Sequence, residues 1–451
     1  MNSKRRRSLA GRIPVRMFAS VALVFSLFTS HAALQQGGTS ERWIGTWATA
    51  VVERGVPQAP APAPPAQTAP APQGQTPPPA PPPPPILAFS NQTLRQIVHV
   101  SLGGERIRVV LSNVFGTAPL VVGAAQVALR DKDAAIAPQS GRALNFGGRP
   151  NATIPPGAVI FSDPVSLTVP ALAQLAVDIY LPGDVAAAKS PFTVHAGALQ
   201  TNYVSTAGNH VGAASLPVMT TTPSWHFLSR VEVAGADQAR AVVAFGDSIT
   251  DGTRSTPDTD NRWPDHLAKR FKALNIPMGV LNTGIAGNRV LSNGGGVSAL
   301  ARFDRDVLAQ TGVTHVVMLE GINDIGQGRG DTRPTAADLI AGHRQIIARA
   351  HARGLKIYGA TVLPCEGTTI QNYYSPENDA VRKALNEWIR TSKEYDAVID
   401  FDALMRDPSQ PTRLLPKYAS PDYLHPNDAG YEVMANAVDI SLFKAVAAAR
   451  R

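Results

Sequence analysis

The pattern of apolar and polar positions divides the chain into two parts. From about residue 93 to 233, short β-branched and apolar runs are separated by clusters of Gly, Pro, Asn and Asp, which is typical of antiparallel strands joined by turns. After about Ala239 the period changes, and strand-like runs alternate with amphipathic helical segments. The first part predicts an all-β, sandwich or jelly-roll-like domain, and the second an α/β domain on a parallel sheet.

Two local patterns give specific expectations. In the β part, residues 97–102 and 107–111 are apolar runs separated by Gly103-Gly104-Glu105-Arg106, which predicts a hairpin. In the α/β part, apolar residues at helical spacing predict a helix over about residues 336–353, with Thr335 and Asp338 as a capping box. The five predicted strands of the parallel sheet are Ala241–Phe245, Gly279–Thr283, His315–Glu320, Lys356–Leu363 and Ala397–Phe401.

Charge and cysteine content exclude some classes of protein. Six basic residues precede Glu41 without an acidic one, so the net charge of +8 falls to +2 for the remaining chain. Such a chain has no basic patch that would indicate a nucleic-acid partner. Cys365 is the only cysteine, so an internal disulfide is impossible, and the sequence has no metal-binding motif or phosphate loop. We therefore expect no metal and no cofactor.

The amino terminus predicts export. A basic segment precedes about a dozen mostly apolar residues from Met17 to Phe28, and Ser30-His31-Ala32 offers small residues at a cleavage site. A membrane anchor is the alternative, but a spanning helix needs about 20 apolar residues. We expect residues 1–32 to be a cleaved signal peptide of a secreted or periplasmic protein, with no stable membrane insertion afterwards. The basic cluster leaves Sec and twin-arginine export both open.

Residues 56–85 are mostly Pro, Ala and Gln and end in five consecutive prolines. Such a composition cannot pack a core and favours extended polyproline or disorder. It allows a spacer between domains, a ligand for a proline-binding module, or a long loop inserted into the first domain. We favour the inserted loop, which places a β domain at residues 41–235 and the α/β domain at residues 239–451.

Four motifs follow the predicted parallel strands, and ligands of such sheets bind at the carboxyl ends of the strands. A strand ends in Gly246-Asp247-Ser248, and the next is followed by a glycine-containing stretch that includes Gly287. Gly321-Ile322-Asn323-Asp324 follows the third strand, and Asp422-Tyr423-Leu424-His425 precedes the last helix. Each motif alone is weak, but the four in this order form a specific combination.

In these motifs, the region from about Arg240 to the end resembles the SGNH or GDSL hydrolases. No block of the family pattern is missing, and the preceding β module is similar to a two-domain branch of acetylxylan-esterase-like proteins. The resemblance implies a flavodoxin-like three-layer domain with a five-stranded parallel sheet. It also implies an oxyanion hole formed by the backbone N–H groups of Ser248 and Gly287 and the side-chain amide of Asn323.

The residue types fit nucleophilic catalysis. A serine hydroxyl needs a base, and histidine is suited to that near neutral pH. We expect Ser248 to be the nucleophile, His425 the base and Asp422 the residue that orients the imidazole, with Asp402 as a rival partner. The structural alternatives are that Ser248 only caps a helix and that the other motif residues, Gly287, Asn323 and Asp324, only form turns. Asp247 and Asp324 are expected to support the turns.

The sequence thus predicts a secreted serine esterase that acts through an acyl-enzyme on small-molecule or polysaccharide esters, with O-acetylated carbohydrate as the first candidate substrate. A lipase, arylesterase or lysophospholipase is the alternative within the class. Two other classes remain, a carbohydrate-binding protein with an idle hydrolase domain and a wall-anchored protein with a Pro-rich spacer. Trp43 and Trp47 alternate like core positions, which favours packing over sugar stacking. The sequence does not predict the oligomeric state.

Overall fold

A computed structural model gives the fold and describes residues 41–55, 88–328, 330 and 333–444. The predicted signal peptide, residues 1–32, and the Pro-rich segment, residues 56–85, lie outside the described residues. Over the ranges that are described, no helix combines the length and the apolar character needed to cross a membrane.

The amino-terminal part of the described chain is all β, as predicted, and two antiparallel sheets contain most of its strands. The five-stranded sheet consists of β1 (Trp43–Ala48), β4 (Gly104–Ser112), β9 (Val159–Phe161), β10 (Val165–Val169) and β16 (Leu228–Ala234). The six-stranded sheet consists of β3 (Ser90–His99), β6 (Ala124–Leu129), β7 (Arg142–Ala143), β11 (Gln174–Asp184), β13 (Asn202–Ala207) and β14 (Val218–Thr222). A three-stranded sheet consists of β2 (Val52–Arg54), β12 (Phe192–Ala196) and β15 (Ser224–His226). A two-stranded sheet consists of β5 (Leu120–Val122) and β8 (Ala152–Ile154).

Side chains from the two larger sheets meet in one hydrophobic core. Val109 of β4 and Val177 and Ile179 of β11 belong to it. Because successive strand residues point to opposite faces, Asp178 lies on the other face of β11, where it forms a buried ion pair with Arg95. The alternation in sequence therefore corresponds to the two faces of the strand.

The predicted hairpin between residues 97–102 and 107–111 is wrong. β3 pairs with β11 and β13, whereas β4 pairs with β16, β9 and β10 in the other sheet. After β3 the backbone N–H of Ser101 donates to the carbonyl of Thr46 in β1, over 2.9 Å. The chain thus leaves one sheet and enters the other, so the glycine-containing turn is a crossover between sheets.

The carboxyl-terminal part contains the predicted five-stranded parallel sheet. Its strands are β17 (Arg240–Gly246), β18 (Met278–Gly284), β19 (Val313–Leu319), β20 (Lys356–Ala360) and β21 (Ala397–Ile399), in the spatial order β18-β17-β19-β20-β21. The fourth strand was predicted to reach Leu363 but ends at Ala360. The cause is that the N–H of Val362 donates to the side chain of Asn386, over 2.7 Å, rather than to a neighbouring strand.

Helices cover both faces of this sheet. Val243 and Phe245 of β17 belong to one buried cluster, and Val242 and Ala244 belong to a second cluster on the opposite face. The helices are α1 (Ser248–Asp251), α2 (Trp263–Ala273), α3 (Ala299–Phe303), α4 (Ile322–Gln327), α5 (Ala336–Ala352), α6 (Pro376–Thr391), α7 (Phe401–Met405) and α8 (Asp428–Ala437), with a π-helical turn at Asp304–Leu308 and 3-10 turns at Pro416–Tyr418 and Ile440–Phe443. Both clusters lie beneath the carboxyl edge of β17 and fix its position.

Helix α5 confirms the prediction from its sequence pattern. The Thr335 hydroxyl accepts a hydrogen bond from the Asp338 N–H, and the Asp338 carboxylate accepts one from the Thr335 N–H, over 3.2 and 2.9 Å. This capping box satisfies backbone donors that the first helical turn leaves unpaired. After the helix, Gly354 has φ +69°, a conformation that ends helices and suits glycine.

The all-β part packs directly against the parallel sheet, and the described residues from Arg42 to Lys444 form one compact unit. Ile44 of β1 is fully buried in the same cluster as Leu281 of β18. The strands approach closely where Gly45 faces Gly279, because a Cβ at Gly279 would overlap the carbonyl oxygen of Gly45. The β part is therefore in contact with the second strand of the parallel sheet.

Buried histidines give the fold a predictable response to acid. Burial lowers the pKa of His226 to about 3 and the pKa values of His315 and His343 to about 4. In the unfolded chain these groups titrate near 6.5, so below that pH the unfolded state binds protons that the folded state rejects. We expect the free energy of unfolding to fall by up to about 1.4 kcal/mol per pH unit for each such histidine between pH 6.5 and 5.

Urea unfolding at pH 7, 6 and 5 measures this loss. The variant His226→Gln removes one of the three groups, so its stability should fall less steeply with pH than that of the wild type. Equal slopes in the two proteins would contradict the assignment of a depressed pKa to His226.

Candidate active site

The Gly246-Asp247-Ser248 turn lies at the carboxyl edge of the parallel sheet, where β17 ends and α1 begins. Ser248 is the first residue of α1, and the Asp247 carboxylate caps this helix by accepting a hydrogen bond from the Ile249 N–H over 2.9 Å. Gly246 has no room for a side chain, because a Cβ would overlap the Thr250 hydroxyl. The turn places the Ser248 hydroxyl at the sheet edge and leaves its N–H without a helical acceptor.

The structure brings Ser248, His425 and Asp422 together. His425 Nε2 lies 2.9 Å from Ser248 Oγ, and His425 Nδ1 lies 2.9 Å from Asp422 Oδ2. Each of the three residues is at most 6% exposed. The rival Asp402 does not contact His425, and its carboxylate instead accepts hydrogen bonds from Arg382 and Arg390. The geometry therefore favours Asp422 over Asp402 as the partner of the imidazole.

The Asp422 carboxylate is held ionised and in a fixed orientation. Burial alone would raise its pKa, but hydrogen bonds from the His425 ring and from the backbone N–H groups of His425 and Leu424 bring that pKa far below its ordinary value. Oδ1 accepts from the Ser420 hydroxyl and from both N–H groups, at 2.8 to 3.0 Å. Oδ2 is thereby left facing the imidazole.

The sequence did not indicate Arg254, which also contacts this carboxylate. Arg254 Nε donates to Asp422 Oδ2 over 2.9 Å, beside His425 Nδ1. The Arg254 side chain is 58% exposed, so it is a solvent-facing cation at the rim of the site. Its contact joins residues 168 positions apart, which no local pattern reveals.

The predicted oxyanion donors lie on neighbouring loops. Gly287 follows β18 with φ +76°, and Asn323 lies in the first turn of α4. Asn323 Nδ2 donates to the carbonyl of Asn288 over 2.8 Å, which places the amide beside the Gly287 loop and leaves its second hydrogen available. Among the described residues, neither Ser248 N–H nor Gly287 N–H donates to a protein acceptor. Unpaired donors of this kind can stabilise an oxyanion.

Two residues that the sequence analysis missed orient the Asn323 amide. The Tyr373 hydroxyl donates to Asn323 Oδ1 over 2.8 Å, and Gln327 Nε2 donates to the Tyr373 oxygen over 2.7 Å. Arg289 in turn donates to the side-chain oxygen of Gln327. This chain of hydrogen bonds occupies the Asn323 oxygen, so the amide nitrogen is the end that points towards the Gly287 loop.

Asp324 and Asp247 hold backbone and do not contact the histidine. The Asp324 carboxylate accepts from the N–H groups of Val290 and Leu291, over 2.7 and 3.0 Å, and so fixes the loop after Gly287. Burial raises the pKa of Asp324 and that of Asp247. These contacts fit the supporting roles expected for both residues.

A buried arginine lies beneath the turn and joins several strand ends. Arg302 is fully buried and donates to the carbonyls of Gly246 and Thr283, over 2.8 and 2.7 Å, and to the side chain of Asn288. Glu320 contributes an ion-pair contact at 3.3 Å. Burial raises the pKa of the Glu320 carboxyl well above its ordinary value. No sequence motif includes Arg302, so only the fold identifies it.

The glycine run 294–296 packs against the backbone of the Gly287 loop. The Gly295 N–H donates to the Gly287 carbonyl over 3.0 Å, and a Cβ at Gly295 would overlap the Ala286 carbonyl oxygen. We expect Gly295→Ala to displace Gly287 and lower kcat for an activated ester by about 10²-fold, since small misplacements cost that much. Gly183→Ala is the matched control, because nothing lies within 4 Å of a Cβ there. Equal kcat values for the two variants would contradict this role of the loop.

The comparisons with known proteins identify the region that contains these residues. Residues 244–433 match the sequence model of the GDSL-like Lipase/Acylhydrolase family. This part of the chain is similar to that family. The resemblance inferred from the four motifs is thereby confirmed, and with it the assignment to the GDSL-type ester hydrolases.

Solved structures that are similar to this chain cover less than half of it. A lipolytic protein of the G-D-S-L family from Desulfitobacterium hafniense DCB-2 is 23% identical, with 44% of this chain and 96% of that chain covered and a TM-score of 0.34. An acetyl-xylooligosaccharide esterase from Geobacillus Stearmophilus is 21% identical, with 45% of this chain and 94% of that chain covered and a TM-score of 0.35. The aryl esterase of M. Smegmatis is 15% identical, with 44% of this chain and 96% of that chain covered and a TM-score of 0.35. No curated protein sequence matches the chain.

Proposed function

We propose that this protein is an exported serine esterase that hydrolyses carboxylic esters through an acyl-enzyme. The observation that carries the proposal is a pair of hydrogen bonds of 2.9 Å each. His425 Nε2 contacts Ser248 Oγ, and His425 Nδ1 contacts Asp422 Oδ2. Its position at the carboxyl edge of the sheet, within the GDSL domain, supports it. A serine, a histidine and a carboxylate in this order activate a hydroxyl for attack.

The acylation step follows from this geometry. Ser248 Oγ attacks the ester carbonyl carbon while its proton passes to His425 Nε2. The negative charge that forms on the carbonyl oxygen is stabilised by the N–H groups of Ser248 and Gly287 and by Asn323 Nδ2. The intermediate collapses when His425 returns the proton to the leaving alcohol, and the acyl group stays on Ser248.

Deacylation reverses the roles. Water gives a proton to His425 Nε2 and attacks the acyl carbon, and the same donors stabilise the second oxyanion. Ser248 Oγ leaves with the proton from His425, which releases the carboxylic acid and restores the site. Asp422 stays ionised throughout and stabilises the imidazolium that forms in both steps.

We further propose a short acyl group on a polar alcohol, with O-acetylated carbohydrate first. The rim of the site is polar, because Arg254 is exposed and residues 292–295 form an exposed Ser-Asn-Gly-Gly stretch. Among the described residues, none of the exposed large apolar side chains belongs to the loops that directly follow β17, β18 and β19. The exposed ones are Val121, Val159, Phe161, Val218, Met219, Leu274 and Val398. A long acyl chain would need apolar surface at the site.

Two assays on the full chain test the proposal. A fluorophosphonate probe should label the protein, and p-nitrophenyl acetate should be hydrolysed; an unlabelled, inactive protein would favour a binding protein with an idle domain. A substrate panel then separates the classes. Faster turnover of acetylated xylooligosaccharide than of p-nitrophenyl palmitate supports the carbohydrate assignment, and the reverse order supports a lipase.

The proposal also includes export of the protein, its division into two domains and the three-layer fold of the second domain. Cleavage after Ala32 would release the protein to the periplasm or medium, and sequencing the amino terminus of the exported protein tests this. We retain the division into a β domain at residues 41–235 with an inserted loop at 56–85 and a flavodoxin-like three-layer domain at 239–451. Helices on both faces of the sheet support the three-layer description.

A further inference from the structure

A buried histidine of the all-β part touches the helix that begins with Ser248. His195 lies in β12, and its Nε2 is 3.0 Å from Oδ1 of Asp251, the last residue of α1. Both side chains are at most 4% exposed. The contact joins residues 56 positions apart and crosses from the β part to the GDSL domain.

The partners of His195 fix the orientation of its ring. Nδ1 lies 2.7 Å from the carbonyl oxygen of Ala50, and a carbonyl only accepts, so Nδ1 carries a hydrogen. Nε2 faces the Asp251 carboxylate, which also accepts. The ring is therefore held at both nitrogens, by the β part at Nδ1 and by α1 at Nε2. The Trp225 ring, 5.5 Å away between centroids, limits the movement of the imidazole.

Asp251 is coupled to Ser248 through a single helical turn. Its N–H donates to the Asp247 carbonyl over 2.9 Å, and the next N–H, that of Gly252, donates to the Ser248 carbonyl over 2.9 Å. Space around this backbone is tight, because a Cβ at Gly284 of β18 would overlap the Asp251 nitrogen. Ser248 and Asp251 are the two ends of α1, which is only four residues long. Because so short a helix has few hydrogen bonds of its own to hold it in place, a displacement of Asp251 also displaces the Ser248 hydroxyl and N–H.

We propose that His195 is a positioning residue for Ser248, so that the β part completes the catalytic unit of the GDSL domain. The inference rests on the serine-esterase function proposed above. His195 acts by fixing the end of α1, and with it the Ser248 hydroxyl and N–H at the start of the same turn.

The test measures the rate of fluorophosphonate labelling and the steady-state kinetics of p-nitrophenyl acetate in His195→Gln. We expect the labelling rate constant and kcat to fall about ten- to hundredfold, with KM little changed, because positioning and not ester binding is altered. His226→Gln is the matched control, since His226 is also buried in the same small sheet, and its hydrogen-bond and ring partners among the described residues all lie in the β part. It should label at the wild-type rate even if its stability falls.

Asp251→Ala provides a second variant, which removes the side chain that His195 Nε2 contacts. It should also slow labelling, and the double variant His195→Gln/Asp251→Ala should lose no more than the slower single variant, because the two residues act as one unit. Labelling at the wild-type rate in both single variants, or fully additive losses in the double variant, would overturn the proposal. A wild-type protein that does not label would instead refute the proposed function.

Discussion

The variant Ser248→Ala will lose about 10⁶-fold in kcat for p-nitrophenyl acetate while it stays folded. Alanine removes the hydroxyl that lies 2.9 Å from His425 Nε2, so neither the attack nor the acyl-enzyme can form. The side chain does not cap the helix, since Asp247 does so, and the loss of one hydroxyl should leave stability nearly unchanged. The measurements are turnover, probe labelling and a thermal unfolding curve.

Ser255→Ala is the matched control for this substitution. Ser255 is also buried, at 4% exposure, and lies seven positions after Ser248, but its hydroxyl contacts neither His425 nor Asp422. It should turn over the ester like the wild type. Undiminished hydrolysis by Ser248→Ala would mean that the nucleophile is another residue.

A second large effect is expected from Asp422→Asn, which should lower kcat by about 10⁴-fold. Three donors, the Ser420 hydroxyl and the N–H groups of Leu424 and His425, face Oδ1, so the amide oxygen of the asparagine will occupy that position. The amide nitrogen then faces His425 Nδ1 and donates to it. The ring consequently carries its hydrogen on Nε2, where it cannot accept the proton of Ser248.

The matched control is Asp402→Asn, which tests the rival carboxylate. Asp402 pairs with Arg382 and Arg390 at 2.7 and 2.6 Å, so its loss should lower stability and leave kcat of the folded enzyme unchanged. Removing one partner of a buried pair costs about 3–5 kcal/mol. A drop in kcat in this variant with full activity in Asp422→Asn would reverse the assignment of the two aspartates.

The sequence predicted the parts of the site that have local patterns. Ser248, Gly287, Asn323 and His425 each follow a recognisable strand or precede a helix, and parallel strands bring their carboxyl ends to one edge. Helix α5 was predictable for the same reason, since its apolar spacing and capping box are short-range features. Local patterns thus determined most of the α/β part.

The remaining features depend on contacts between distant residues. Arg254 meets Asp422 across 168 positions, and His195 meets Asp251 across 56, so neither pairing has a signature in sequence. The failed hairpin shows the same limit, because strand propensity and turn glycines do not indicate which sheet a strand will join. Arg302 was missed because its burial arises only when three strand ends surround its guanidinium.

The separation of the nucleophile from its base has a consequence for biosynthesis. Ser248 and His425 are 177 positions apart, and the carboxylate is within three residues of the histidine. A ribosome therefore completes the hydroxyl-bearing turn long before the base that activates it. We therefore expect a chain that stops before His425 not to hydrolyse esters, because it lacks the proposed base for Ser248.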